Sequence, residues 1–181
     1  MKQRSIFVFL AAALLAATAA SAAEDPSYRL AAILSGSFQG TTPGNDLMVS
    51  TQPFPTDPTH PYDLFVTISG KYQEDNVRFQ GVMRFDVQGS DVFVTYVPHF
   101  DLTVTALSPE IDNFTDREAA AACSVSFKPR GDGFTSETLG SSCALAIRGA
   151  TSKWTIEVEP GTLRLRDAKS GETLRFKKSA K

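Results

Sequence analysis

The chain predicts an all-β fold, a single antiparallel barrel of about 8–10 strands with a short helix at its start and another near residues 115–122. Three observations carry this. Turn signals recur at intervals of about 8 to 12 residues through the centre and last third: Gly89-Ser90, Gly131-Asp132-Gly133, Gly140-Ser141, Pro160-Gly161 and Ser170-Gly171. The segments between them alternate apolar and polar residues with period two. The longest, Asn76 to Val87, runs far enough for strand twist to coil the sheet and close it.

Each element follows from local chemistry. Asp25 can cap a helix, Pro26 suits its first position, Leu30, Ile33 and Leu34 form an apolar stripe, and Gly36 can stop it. Ser35 to Thr42 and Asp46 to Thr51 read as strands around the Pro43-Gly44-Asn45 turn. Pro53, Pro55, Pro58 and Pro61 make Gln52 to Tyr62 an irregular, stiff surface loop. Asp63 to Tyr72 is the next strand, with Gln73 to Asn76 as its turn. In the long strand Val77, Phe79, Gly81, Met83, Phe85 and Val87 share one face, and Asn76, Arg78, Gln80, Arg84 and Asp86 share the other. Asp91 to Val97 is apolar on both faces and is expected to be covered on both. Thr115-Asp116-Arg117-Glu118 is a capping box for the second helix. Cys123, Val125 and Phe127, then Phe134 to Leu139, then Cys143, Leu145 and Ile147, then Trp154, Ile156 and Val158 continue a meander. Thr162 to Arg166 and Thr173 to Lys178 complete it.

The first 23 residues set the domain boundary. Lys2 and Arg4 open a basic start, Ile6 to Ala20 is an apolar run, and Ser21-Ala22-Ala23 supplies small residues. That is the three-part pattern of a secretory signal peptide. The run is short of the about 20 apolar residues that a membrane span needs. The expectation is a signal peptide at 1–23, one barrel domain at 24–181, and a periplasmic or extracellular location with no transmembrane segment after cleavage. The net charge of −2 becomes more negative once Lys2 and Arg4 leave. No global basic field holds nucleic acid. Arg164, Arg166, Arg175, Lys177, Lys178 and Lys181 gather near the end at mostly alternating positions. They are expected on a solvated outer face, with a local anion contact as the sharper reading.

Export also bears on Cys123 and Cys143. An oxidising compartment makes a disulfide the expectation. Its loop of about 20 residues would contribute roughly 3 kcal/mol in the chain-entropy model. Two strand spacings, roughly 9.6 Å, exceed the about 7 Å reach of a disulfide, so the bridge requires Cys123 to sit at the junction with the preceding helix.

Catalytic signatures are sparse. His60 and His99 are the only histidines, and Pro98-His99-Phe100-Asp101 puts His99 and Asp101 on one strand face. No third ligand recurs at metal spacing, and neither a nucleophile elbow nor a phosphate loop is present. No cofactor, metal or catalytic residue is assigned. The thirteen Phe, four Tyr and one Trp fill a barrel or wall a cavity. The candidate ligand-binding residues are Phe65, Arg78, Phe79, Arg84, Phe93, Tyr96, His99 and Trp154, with Phe85 as further wall and Arg78 and Arg84 as anion contacts.

The region from Leu107 to Lys178 resembles the T-type phycobiliprotein chromophore lyases (the CpcT/CpeT family) and their bacterial relatives. The matching residues are Leu107, Arg117-Glu118, Cys123, Asp132-Gly133-Phe134, Thr138, Gly140, Cys143 and Gly149-Ala150. Arg166-Asp167, Gly171 and Leu174-Arg175-Phe176 follow in order. In the first half Leu64-Phe65-Val66 stands at a Leu-Tyr-Val strand, and Arg78, Val82 and Arg84 correspond to an Arg-rich stretch. Thr67-Ile68 replaces the family's Glu-Gln. The resemblance implies a calycin or lipocalin-like barrel and an open-chain tetrapyrrole as ligand. The resulting expectation is an exported, non-catalytic barrel that binds a small apolar molecule, tetrapyrrole-like if the resemblance extends to the ligand. The alternatives are a bilin lyase or chaperone, and an envelope structural or interaction protein. Oligomeric state is left open.

Overall fold

The structure is a computed structural model that describes residues 24–54, 58–72, 75–98, 123–136 and 154–180. Among these residues are one helix, α1 (Pro26–Leu34), and ten strands. These are β1 (Gly36–Gly40), β2 (Asn45–Pro53), β3 (Leu64–Tyr72), β4 (Asp75–Gln88) and β5 (Asp91–Pro98). β6 (Cys123–Arg130), β7 (Gly133–Ser136), β8 (Trp154–Glu159), β9 (Thr162–Asp167) and β10 (Thr173–Lys178) follow. Every strand pairs antiparallel with its sequence neighbour, and β1 pairs with β10, so the sheet closes into a barrel. The all-β barrel expected from the turn spacing is therefore the fold observed.

Several boundaries differ from the sequence reading, and Asn45 and Gly133, expected in turns, open β2 and β7. β2 runs through Pro53, which lies opposite Leu64 at the strand's end, where a missing N–H is tolerated. β4 begins at Asp75, so its first residues pair with Tyr72 and Lys71 rather than turning. The signal segment, the helix expected near 115–122 and the strand expected around Cys143, Leu145 and Ile147 lie outside the described residues. So does Cys143, and with it the expected disulfide.

Register separates inside from outside. Phe38, Val49, Ile68 and Phe79 are successive partners on β1 to β4 and face the core. Alternation then places Leu64, Val66, Phe85, Val94, Phe127, Phe134, Val158, Leu163, Leu174 and Phe176 inside, all buried. Met83 and Tyr96 pair across β4 and β5. A Cβ on Gly81 would meet the carbonyl of Val97 and stand 2.7 Å from Tyr96 Cε2. Glycine at this position is what lets the Tyr96 ring lie against the wall.

One end of the barrel is plugged by α1. The Asp25 carboxylate accepts from Ser27 N at 2.9 Å and from Ser27 Oγ at 2.6 Å, so the cap expected from sequence forms. The helix leads directly into β1, then packs across to β4, β5, β7 and β8 on the opposite side. Leu30, Ala31 and Leu34 enter the core. Arg29 Nη2 donates to the carbonyls of Gly131 (3.1 Å) and Gly133 (3.2 Å) in the β6–β7 turn, and its guanidinium lies 4.8 Å from the Phe134 ring. The last helical carbonyls have no partner within a helix. Here Thr51 Oγ1 donates to Leu34 O at 2.5 Å, and Lys178 Nζ donates to Ile33 O at 3.2 Å. Tyr28 meets Tyr62 of the proline-rich loop edge-on at 5.4 Å.

Candidate functional site

Between the plugged end and the opposite mouth the interior has three layers. On six strands an inward residue towards the helix side is buried: Thr51, Val66, Phe85, Val94, Val158 and Leu163. The next inward residue on each strand is only half-buried: Val49, Ile68, Met83, Tyr96, Ile156 and Leu165. Phe79, further along β4, is half-buried too. Towards the mouth burial returns at Leu47, Val77, Trp154 and Asp167. Side chains that point inward, yet keep accessible surface between two packed layers, border space inside the barrel. Three register rows build this chamber: Val49–Ile68–Phe79, Met83–Tyr96 and Ile156–Leu165.

Among the described residues the half-buried wall is apolar apart from Tyr96. Tyr96 Oη donates to the Gln80 carbonyl at 3.2 Å, leaving its oxygen lone pairs as acceptors. Burial pushes the Tyr96 hydroxyl up to about 12, so it is a neutral phenol in any physiological medium. Ser136 Oγ accepts from Ile156 N at 2.8 Å beside the chamber. Among the described strand side chains two further ionisable groups face inward, and both are engaged elsewhere. Lys178 is held at the helix end, as above. Asp167 accepts from Lys169 N (2.8 Å) and Ser170 Oγ (3.0 Å) in its own turn. The Lys169 N–H bond first, with the Ser170 contacts, holds the Asp167 carboxyl below the usual carboxylate value against the opposing effect of burial.

Of the eight residues nominated from sequence, Phe79, Tyr96 and Trp154 face the lumen, as does the further wall residue Phe85. Phe65 and Phe93, expected as wall, face outward, and Arg78 and Arg84, expected as anion contacts, lie on the outer face as well. Each sits one residue off the inward set (Leu64 and Val66, Val77 and Phe79, Met83 and Phe85, Val92 and Val94), which period-two geometry sends outward. Phe65 packs outside against Phe54, ring centroids 6.0 Å apart. Arg84 Nε lies 3.5 Å from the fully buried Asp63, whose carboxylate also accepts from Phe85 N at 3.1 Å. Residues of the proline-rich loop cover this outer wall, with Phe54 N donating to Asp63 O at 2.7 Å. His99 lies outside the described residues.

Val49, Ile68, Met83, Ile156 and Leu165 were not nominated. The alternation of β4 and β8 puts Met83 and Ile156 on the inner face, and that is the sequence signal that marks them. Half-burial within a strand has no sequence signature, because it depends on what fills the barrel beside it.

Among the described residues no cluster of three or more His, Cys, Asp or Glu could hold a metal ion. No helix among them is long and apolar enough to cross a membrane. Comparison of the chain with protein-family models, curated proteins and solved structures returned no match in any of the three. The functional reading therefore rests on the geometry of the barrel itself.

Proposed function

We propose that this protein is an exported barrel that carries one small apolar molecule, uncharged where it lies in the chamber, and performs no chemistry on it. The observation that supports this is the middle layer. Its seven half-buried inward side chains are six apolar residues and the neutral Tyr96, sealed on one side by α1. A carboxylate placed there would lose hydration at a cost of several kcal/mol, and Lys178, the inward-facing cation among the described residues, is held by the Ile33 carbonyl at the helix end. Arg78 and Arg84, which could have met such a group, face outward. The N-terminal basic, apolar and small-residue pattern supports export.

Trp154 is the only tryptophan and borders the chamber, so it reports occupancy. Titration with N-phenyl-1-naphthylamine should give saturable, one-to-one energy transfer from Trp154, and Leu165→Trp or Ile68→Phe should weaken it by filling the space. Absence of saturable transfer in the folded protein overturns the reading. The resemblance to chromophore lyases supports a second arm with biliverdin. Absorption that shifts and sharpens in the protein would favour a bilin lyase or chaperone, and an unchanged spectrum removes it.

A further inference from the structure

The outer wall carries its charge unevenly. Arg164, Arg166, Arg175 and Lys177 project from β9 and β10 on the face opposite Leu163, Leu165, Leu174 and Phe176. Arg164 is compensated, with Glu157 at 3.5 Å and Glu159 at 3.6 Å, and Glu157 also holds Arg130 at 3.0 Å. Beyond Arg164 compensation stops. Arg175 lies directly opposite Arg164. The cross-strand partners of Arg166 are Thr155 and Thr173, and those of Lys177 are Thr162 and Gln39. Among the described residues no carboxylate pairs with Arg166, Arg175 or Lys177. Like charges directly opposite one another destabilise a sheet. A chain of net charge −2 has nonetheless gathered unpaired cations on one wall.

An exposed apolar side chain stands in the same surface. The register runs Lys177–Gln39–Met48–Ser69–Arg78 across β10, β1, β2, β3 and β4. Met48 sits at its centre, 42% exposed, with a cation two strands away on either side. A dissolved polyanion satisfies the cations but offers methionine nothing to enter. A bilayer with anionic headgroups satisfies both, attracting the cations at its surface and accepting the thioether at the headgroup–acyl boundary.

We propose that this wall, from β9 and β10 across β1 to Met48, docks the protein onto an anionic membrane surface. The proposal is independent of what the chamber holds. It is tested by co-sedimenting the protein with vesicles of phosphatidylglycerol and phosphatidylcholine, and with phosphatidylcholine alone. Binding should require phosphatidylglycerol, weaken with added salt, and fall roughly fivefold for each cation neutralised. Arg166→Gln and Lys177→Gln test this directly. Arg175→Glu adds a control on folding. It faces Arg164 with a carboxylate, so thermal stability should hold or rise while vesicle binding falls. Met48→Ser should weaken vesicle binding and leave retention on immobilised heparin unchanged. Binding that is equal on both vesicle types, or unaltered in the charge variants, overturns the proposal. So does vesicle binding indifferent to Met48→Ser, which would identify a soluble polyanion as the partner.

Discussion

The two halves of the barrel interior are written in the same alphabet and end in different states. At the plugged end Leu30, Phe38, Leu64, Val92, Phe134 and Val158 are almost wholly removed from water. One layer further in, Val49, Ile68, Met83, Ile156 and Leu165 point the same way with equally apolar side chains and remain half-buried. Strand alternation explains the direction of both sets. The difference comes from α1, which supplies Leu30, Ala31 and Leu34 to one end and nothing to the middle. A closed ten-stranded wall is too wide to be filled by its own side chains at every level, and the helix acts as the missing filler where it reaches.

Removing that filler should produce the largest effect. Leu30 is fully buried, so Leu30→Ala loses its transfer free energy and leaves a cavity under the barrel end. The expected cost is about 2–5 kcal/mol, read from the midpoint of urea unfolding. A cost near zero would mean that the helix rests on the barrel rather than plugging it.

A matched pair on one strand sharpens the same contrast. Leu163 and Leu165 both face inward on β9, two residues apart, the first buried and the second half-buried. Leu163→Ala should cost about 3 kcal/mol, and Leu165→Ala roughly half as much, because less of Leu165 is removed from water at the start. Equal losses would show the middle layer to be as tightly packed as the end.

Arg29 tests the fastening. Arg29→Met keeps an apolar stem over Phe134 but deletes the two hydrogen bonds to Gly131 O and Gly133 O. A loss of about 1.5 kcal/mol is expected, together with faster hydrogen exchange in α1 than in β4. Uniform exchange across both elements would mean that the helix opens only with the whole barrel.

How much of this was legible follows from which interactions are local. The helix cap at Asp25-Pro26, the turns at Gly89, Gly131 and Gly161, and the inward set of β4 are decided within a few residues, and the sequence shows them. Closure by β1 and β10 joins residues such as Phe38 and Lys178, which no short pattern links. The same holds for Arg29 reaching Gly131 and for Thr51 reaching Leu34. The candidate site is legible only in part, because strand parity rather than aromatic content decides which side chains reach the lumen. Phe65 and Phe93 are large and apolar, yet each lies one step from an inward neighbour, and one step decides the side. Arg84 reads from the sequence as an anion contact. Its partner Asp63 lies across the β3–β4 ladder, 21 positions earlier in the numbering and out of view of any local motif.

The smallest expected effect concerns Tyr96 in the chamber wall and depends on pH. Burial raises the Tyr96 hydroxyl from 10.0 to about 12, so the folded protein holds that proton more tightly than the unfolded chain does. The contribution is fully present below 10.0, and it is lost as the pH climbs through about 12, where the folded form ionises as well. Tyr96→Phe removes the donor to Gln80 O and should cost about 0.5–1.5 kcal/mol near neutral pH. Its alkaline loss of stability should begin later and be shallower than that of the wild type. Phenolate absorbance supplies the direct check, since the step near 12 should vanish in the variant. A wild-type protein with no step above the ordinary tyrosine range would place Tyr96 in open solvent, and the middle layer would then be a groove on the surface rather than a chamber between two packed ones.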